Sequence, residues 1–324
     1  MDDALPQKEA TTNEPDAEMA AAIVGEAIGF APVAVRRFTT GAQHYVFDVD
    51  FVSRPSVVVR IGSRSAHALM AGAVYLSKLL KPRGAPLPAI LAEDLRAEFP
   101  WLVLERLPGT DLGACIDGLS DTQLDGIAGN VARAQSIAAE SGSAGRYGYA
   151  VFPEIAPHTA WSQALDASLA RSRKRIALAG LFDIGLVDRG QEALADLRTE
   201  IDQVPPTPFL HDATTKNVIV TAEGCFSGIV DVDDLCFGDP CYPAALTLAS
   251  LAARGSSVYY VSAWSRHGGW STDNRLFRLY VVLFLLDFMS EHGQAFNGNQ
   301  RPSSLEARAS LRRAFERSFA LLHS

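Results

Sequence analysis

The apolar pattern of this chain changes period once, near residue 110, and that change limits the folds open to it. Between Val33 and Gly109 the apolar residues come in short β-branched or aromatic runs, VAVRRF, HYVFDVDF, SVVVRIG, PAILAEDL and WLVLERLPG, parted by turn-rich segments such as TTGAQ and VSRPS. Such runs suit pleated strands joined by tight connections. One helix-like stretch interrupts them, Ser65 to Lys81, with apolar residues three and four apart and the breaker cluster PRGAPLP behind it. From Asp111 onward the helical spacing dominates, over Ser120–Glu140, Trp161–Ala179, Gly190–Val204, Pro243–Ala253, Asn274–His292 and Ser304–Leu322, and a short helix is expected over Glu18–Gly29. Strands first and helices later describe an α+β fold of two bodies, the first built on a five-stranded antiparallel sheet and the second rich in helix. The 324 residues fit two bodies, because single cores stop growing near about 250–300 residues. The expected division is a disordered lead-in over 1–17, a first lobe over 18–107 and a second over 108–324, with a cleft between the lobes.

Composition removes several functional classes. The formal charge of −8 repels phosphate backbones, so nucleic acid is not an expected partner. Cys115, Cys225, Cys236 and Cys241 lack paired metal-ligand spacing, which excludes a zinc site and leaves four reduced, core or near-core thiols. The polar, acidic start MDDALPQKEATTNEPDAEMA is no secretory signal. The apolar run Leu279–Leu286 ends at Asp287, far short of the roughly 20 residues a membrane span requires. A cytoplasmic protein without a membrane partner is the expectation; oligomeric state is not legible.

One segment breaks the helical pattern of the second half: FLHDATTKNVIVTAEGCFSGIVDVDDLCFGDP, Phe209 to Pro240. Two short apolar strands, NVIVT and CFSGIVDV, are flanked by Asp, Asn, Thr and Lys. Asp212 and Asn217 stand five residues apart in the loop before the first strand, and Asp231 ends the run GIV of the second. A hairpin would bring Asn217 and Asp231 together. Convergent carboxylate and amide oxygens are what phosphoryl transfer needs, since magnesium takes hard oxygen ligands and the incoming hydroxyl needs a carboxylate to orient and deprotonate it. Alone, each aspartate would pass for a hydrogen-bonded turn residue; the ordered set points to chemistry.

These two motifs resemble those of the aminoglycoside phosphotransferase and choline kinase-like family of small-molecule kinases, which carry HGDxxxxN followed by IDxxxxxxGDP. Here the chain has LHDATTKN and VDVDDLCFGDP, and Asp231 keeps its distance of seven from Gly238. The resemblance runs from about Val33 to Leu251. It implies a bilobal protein-kinase-like fold and transfer of the γ-phosphate of ATP, with Mg2+, to a hydroxyl of a small molecule, aminoglycoside-like or another antibiotic, sugar or amino-alcohol. By the same resemblance Asp212 is the catalytic base, Asn217 and Asp231 are magnesium ligands, Asp233 is a further metal candidate, and Asp239 braces the loop. FTTGAQHYVFDV corresponds to the phosphate-covering turn, with Gly41 and Gln43 at the nucleotide. Arg60 in VVVRIG takes the place of the strand-three cation that holds phosphate oxygens. WLVLERLPGTDL resembles the interlobe hinge, whose backbone at Glu105 to Leu107 would bond the adenine. Lys216 is placed to add positive charge near the γ-phosphate.

Three departures stand against the family pattern. Leu210 occupies the position of the first motif histidine, and His211 that of the glycine, where bonding to a backbone carbonyl is expected. Near Ala71–Val74, where the family has a helix glutamate paired to the strand-three cation, the chain reads AGAV; Glu93 or Asp94 is the substitute in reach by sequence. Pro243 changes a helix start. The alternative to an active kinase is a catalytically silent, kinase-like nucleotide-binding protein.

Overall fold

A computed structural model of the chain describes residues 14–38, 44–296, 299–300 and 303–324. They fall into two compact units, one comprising Met1–Met70 with Ile90–Arg106, the other Ala71–Ala89 with Leu107–Ser324.

In the first unit, helix α1 (Ala17–Ile28) starts where the Asp16 carboxylate accepts the Met19 N–H at 2.9 Å and stops at Gly29, which takes a left-handed φ of 77°. Strands β1 (Ala34–Arg37), β2 (Tyr45–Asp50) and β3 (Val57–Ile61) follow, then helix α2 (His67–Leu80), which continues into the second unit, and strands β4 (Ile90–Asp94) and β5 (Trp101–Glu105). They form the five-stranded antiparallel sheet in the order β1-β2-β3-β5-β4. Period-two alternation divides its faces. Phe47, Val49, Val57, Val59, Ile61 and Val103 pack with Ala20 and Val24 of α1 in one apolar cluster. The opposite face carries the cross-strand row Val46, Arg60, Leu102, Glu93.

The second unit contains β6 (Thr110–Asp111), α3 (Leu112–Cys115), α4 (Asp121–Ala139), β7 (Gly148–Ala150), α5 (Trp161–Ala179), α6 (Gly185–Asp196), α7 (Arg198–Ile201), β8 (Thr207–Phe209), β9 (Val218–Val220), β10 (Phe226–Ile229), β11 (Leu235–Gly238), α8 (Tyr242–Arg254), α9 (Tyr259–Gly268), α10 (Arg275–Glu291), the pair β12 (Ala295–Phe296) and β13 (Asn299–Gln300), and α11 (Leu305–Leu322). Its core is centred on α10, whose residues from Leu279 to Leu286 are all buried and which packs against α5, α8 and α11. A helix apolar on every side belongs inside. Two small antiparallel sheets, β10-β9-β6 and β7-β11-β8, lie among the helices. Gly109, at φ 111°, makes the first possible: a Cβ there would lie 2.0 Å from the Val220 carbonyl oxygen, so only glycine lets β6 reach β9. All four cysteines are free, Cys236 and Cys241 buried and Cys225 exposed. Among the described residues no helix is long and apolar enough to cross a membrane.

Candidate active site

The polar segment of the second unit folds as a loop, a hairpin and a second loop. Strands β9 and β10 pair antiparallel, and beyond the last strand pair the Val230 N–H donates to the Asn217 carbonyl at 2.9 Å. Asn217 and Asp231 therefore sit at the same end of the hairpin. Asp231 has a φ of 64°, the single left-handed non-glycine among the described residues. Aspartate tolerates that region better than most residues, and such outliers gather at functional sites. Nothing in the sequence signals it.

Across the loop, the Asn217 Nδ2 donates to the Asp212 carboxylate at 2.8 Å and to the Asp212 backbone oxygen at 3.0 Å. With the amide nitrogen committed, the Asn217 oxygen is the atom left for a cation. Thr214 Oγ1 lies 3.5 Å from the other carboxylate oxygen. Burial lifts the Asp212 carboxyl above its ordinary value; His211, Asn217 and Lys216 pull against that, and the charge of Asp231 adds to it. A carboxylate so lifted is a better proton acceptor than a solvated one.

Asn217 and the exposed Asp231 offer hard oxygen donors at one end of a hairpin, a set that fits magnesium. Among the described residues no three His, Cys, Asp or Glu side chains are grouped closely enough to hold a metal by themselves. Magnesium does not need such a cage, since it keeps waters and is completed by substrate phosphate. Asp233 is half-buried, and its backbone oxygen faces Gly72 of α2. Lys216 is exposed in the loop.

The departures from the family motifs acquire partners. Leu210 is buried, and its backbone is held by Gln135 of α4: Leu210 N–H donates to Oε1 at 2.8 Å, and Nε2 donates to the Leu210 oxygen at 2.9 Å. Gln135 is itself buried, so two side-chain bonds anchor the backbone two residues before Asp212. The sequence analysis missed this residue; its only signal was a glutamine on the apolar side of a helix. The His211 ring reaches Asp234 at 2.6 Å, a carboxylate where a backbone carbonyl was expected, and stands edge-on to Tyr149 with centroids 4.9 Å apart. Burial alone would lower the His211 pKa; the bond and charge of Asp234, with Asp212 and Asp231 behind it, outweigh that and raise it. Asp239 accepts the Cys241 N–H and the Tyr280 hydroxyl, both at 3.1 Å, and so fixes the start of α8. Pro243 lies in the first turn of that helix.

In the first unit, Arg60 is buried on β3. Helix α2 has no acidic residue. Glu93 lies in the same cross-strand row as Arg60 with Leu102 between them, two strand spacings or about 9.5 Å along the row. Glu105 ends β5 exposed; Leu107 is buried at the point where the chain enters the second unit. Gly41 and Gln43 lie outside the described residues.

The sequence pattern of the phosphotransferase enzyme family matches residues 34–276, across both units. The chain belongs to that family. Solved aminoglycoside phosphotransferases share the fold. A thermostable mutant of APH(4)-Ia in its apo form is 18% identical, with 94% of this chain and 98% of that one covered at a TM-score of 0.64. APH(2'')-Ib bound to ADP is 13% identical, with 95% and 99% covered at 0.62. APH(2")-IIIa in complex with GDP and kanamycin is 16% identical, with 95% and 98% covered at 0.65. No curated protein matches the chain in sequence.

Proposed function

We propose that this phosphotransferase is a magnesium-dependent kinase that moves the γ-phosphate of ATP to a hydroxyl of a small molecule. The observation that carries the reading is the Asp212–Asn217 bond: it orients a carboxylate of raised pKa and turns an amide oxygen to the hairpin end that holds Asp231. Magnesium, when bound, neutralises charge on the phosphates, with Asn217 and Asp231 as its protein ligands and Asp233 as a further candidate. The Asp212 carboxylate orients the acceptor hydroxyl and takes its proton. Gln135 keeps the loop backbone in register for that transfer. In this reading Arg60, Gly41, Gln43 and the backbone from Glu105 to Leu107 serve the nucleotide, and Lys216 adds charge for the γ-phosphate. Relatives solved with ADP, or with GDP and kanamycin, support a purine nucleotide donor and a hydroxyl-bearing acceptor. A cytoplasmic setting, where ATP and magnesium are plentiful, suits the reading, and inactivation of an antibiotic is one use of such an activity.

The test is magnesium-dependent ADP formation over aminoglycosides, macrolides, choline, sugars and amino-alcohols, with Asp212→Ala alongside. Asp212→Ala is expected to lower kcat by several orders of magnitude and leave Mg·ATP affinity nearly unchanged. The missing acid on α2 favours one rival, a silent nucleotide binder. Mg·ATP binding without turnover on any acceptor, and no effect of Asp212→Ala on ATP loss, would select it.

A further inference from the structure

One side-chain bond joins the loop that carries Asp212 to the loop that follows Asp231, and strand register explains why it forms. Strands β8 and β11 pair antiparallel with Thr207 opposite Gly238, Pro208 opposite Phe237 and Phe209 opposite Cys236. Residues directly opposite in such a pair send their side chains to the same face, and the face alternates along each strand. Two residues beyond Phe209 and Cys236 the same register sets His211 opposite Asp234, on the face of that last pair. There the His211 Nε2 lies 2.6 Å from the Asp234 carboxylate. A carboxylate only accepts, so Nε2 carries the hydrogen, and the bond holds whether or not the other ring nitrogen is protonated.

The next position of that register would oppose Asp212 and Asp233, the proposed base and the further metal candidate. Like charges directly opposed are unfavourable in a ladder. A bond one position earlier lets the two chains separate beyond it and keep their relative placement. The His211 ring has a second contact, from Tyr149, which shares a cross-strand row with Cys236 and Phe209 and meets the ring edge-on with centroids 4.9 Å apart. The metal pair has a support of its own: Asn217 and Asp231 are brought together by the β9–β10 hairpin and the Val230–Asn217 bond, neither of which involves Asp234. What the His211–Asp234 bond adds is the place of Asp212 relative to the loop that returns from Asp231 to β11.

We infer that His211 and Asp234 are positioning residues for phosphoryl transfer, acting as one unit: their bond continues the β8–β11 register to the residue before Asp212 and so sets the base against the metal loop. The inference rests on the kinase reading of Asp212. Neither residue is required to touch substrate or metal.

The experiment measures kcat and the KM for Mg·ATP in ADP formation, with the acceptor of the panel above that gives the highest rate, for the native protein, Asp212→Ala, Asp234→Ala, Asp234→Asn, His211→Ala and the double variant His211→Ala with Asp234→Ala. Asp234→Ala is expected to lower kcat about 10- to 100-fold, the scale on which a misplaced group costs rate, with the KM for Mg·ATP within about twofold. Asp234→Asn, which keeps an oxygen to accept the Nε2 hydrogen, is expected to restore kcat to within about threefold of the native value. The double variant is expected to match His211→Ala within about twofold, because the second substitution finds the bond already broken. The two side chains keep 28% and 27% of their surface exposed, so the melting temperature is expected to fall by no more than a few degrees, and loss of folding does not account for the change in kcat. Asp212-dependent turnover that Asp234→Ala leaves intact overturns the inference and spares the kinase reading. Losses that add in the double variant overturn it too, since they place the His211 ring in a separate role, and so does an Asp234→Asn as slow as Asp234→Ala. A native protein with no Asp212-dependent turnover removes the kinase reading and the inference together.

Discussion

Asp231 combines two demands that a single residue type can meet. Its left-handed backbone costs an ordinary L-residue about 1–2 kcal/mol, and its carboxylate is the charged member of the proposed metal pair. Asp231→Asn keeps a side chain that tolerates the conformation and removes the charge. We expect that variant to unfold within about 1 kcal/mol of the native protein and to lose magnesium-dependent nucleotide binding, as seen by calorimetry with and without the metal. Normal Mg·ATP binding would show that the metal is held elsewhere. Gln135 makes a different prediction. Gln135→Leu fills the same space but strands a buried N–H and a buried oxygen of Leu210, each worth about 1–3 kcal/mol when left unmade. A loss of roughly 2–5 kcal/mol in urea unfolding is expected, with kcat lowered more than Mg·ATP affinity; a kcat unchanged in the folded fraction would deny Gln135 its positioning role. Asp212, Asn217 and Asp231 were legible because their spacing is local. Gln135 was not, because its partner is 75 residues away.

Helix α2 meets the loop after Asp231 where relatives place a glutamate, and it does so by close approach. A Cβ on Gly72 would lie 2.6 Å from both the Asp233 carbonyl oxygen and a Val151 methyl. Gly72→Ala must push helix or loop aside, at a cost of about 1–3 kcal/mol. We expect a lower melting temperature together with weaker magnesium-dependent binding; a loss of stability alone would show that the contact serves only packing. Gly190 explains a misplaced boundary in the same terms. The spacing placed a helix over Gly190–Val204, whereas α6 spans Gly185–Asp196 and α7 Arg198–Ile201. Gly190 lies inside α6 because a Cβ there would meet the Leu286 side chain of α10 at 2.6 Å. Glycine, read as a boundary, was a contact. Helix α9 was missed altogether: its first turn, Tyr-Tyr-Val, has the composition of a strand, and packing against α4 makes it helical.

For the molecule as a whole, binding and charge set the measurable stability. A ligand that binds only the folded protein stabilises it by about 2.7 kcal/mol at a hundred times its Kd, so saturating Mg·ATP is expected to raise the melting temperature of the native protein and of Asp212→Ala alike, but not of Asp231→Asn. Equal shifts in all three would separate nucleotide binding from the metal pair. Acid acts through surface carboxylates. Asp50 is held below its ordinary pKa by the Ser56 hydroxyl and then Arg36, Asp125 by Arg266 and then His267, and Glu316 by Arg189. A folded pKa below the unfolded one gives stability that is complete above the unfolded value and lost as pH falls through the folded one. The melting temperature is therefore expected to fall between about pH 5 and pH 3, gently, because exposed pairs are screened by water and salt. The sequence by itself determined the two kinds of body, the five-stranded sheet and the three residues proposed for the chemistry, since strand alternation, helical spacing and a motif within one loop and hairpin are all written in neighbouring residues. Only the tertiary structure decided which side chain braces the loop, that Asp231 turns left-handed, that Gly72 packs against the Asp233 backbone, and that Asp234 holds the His211 ring. The contacts among these join residues 23 or more positions apart, and no local pattern encodes a contact whose partner lies that far along the chain.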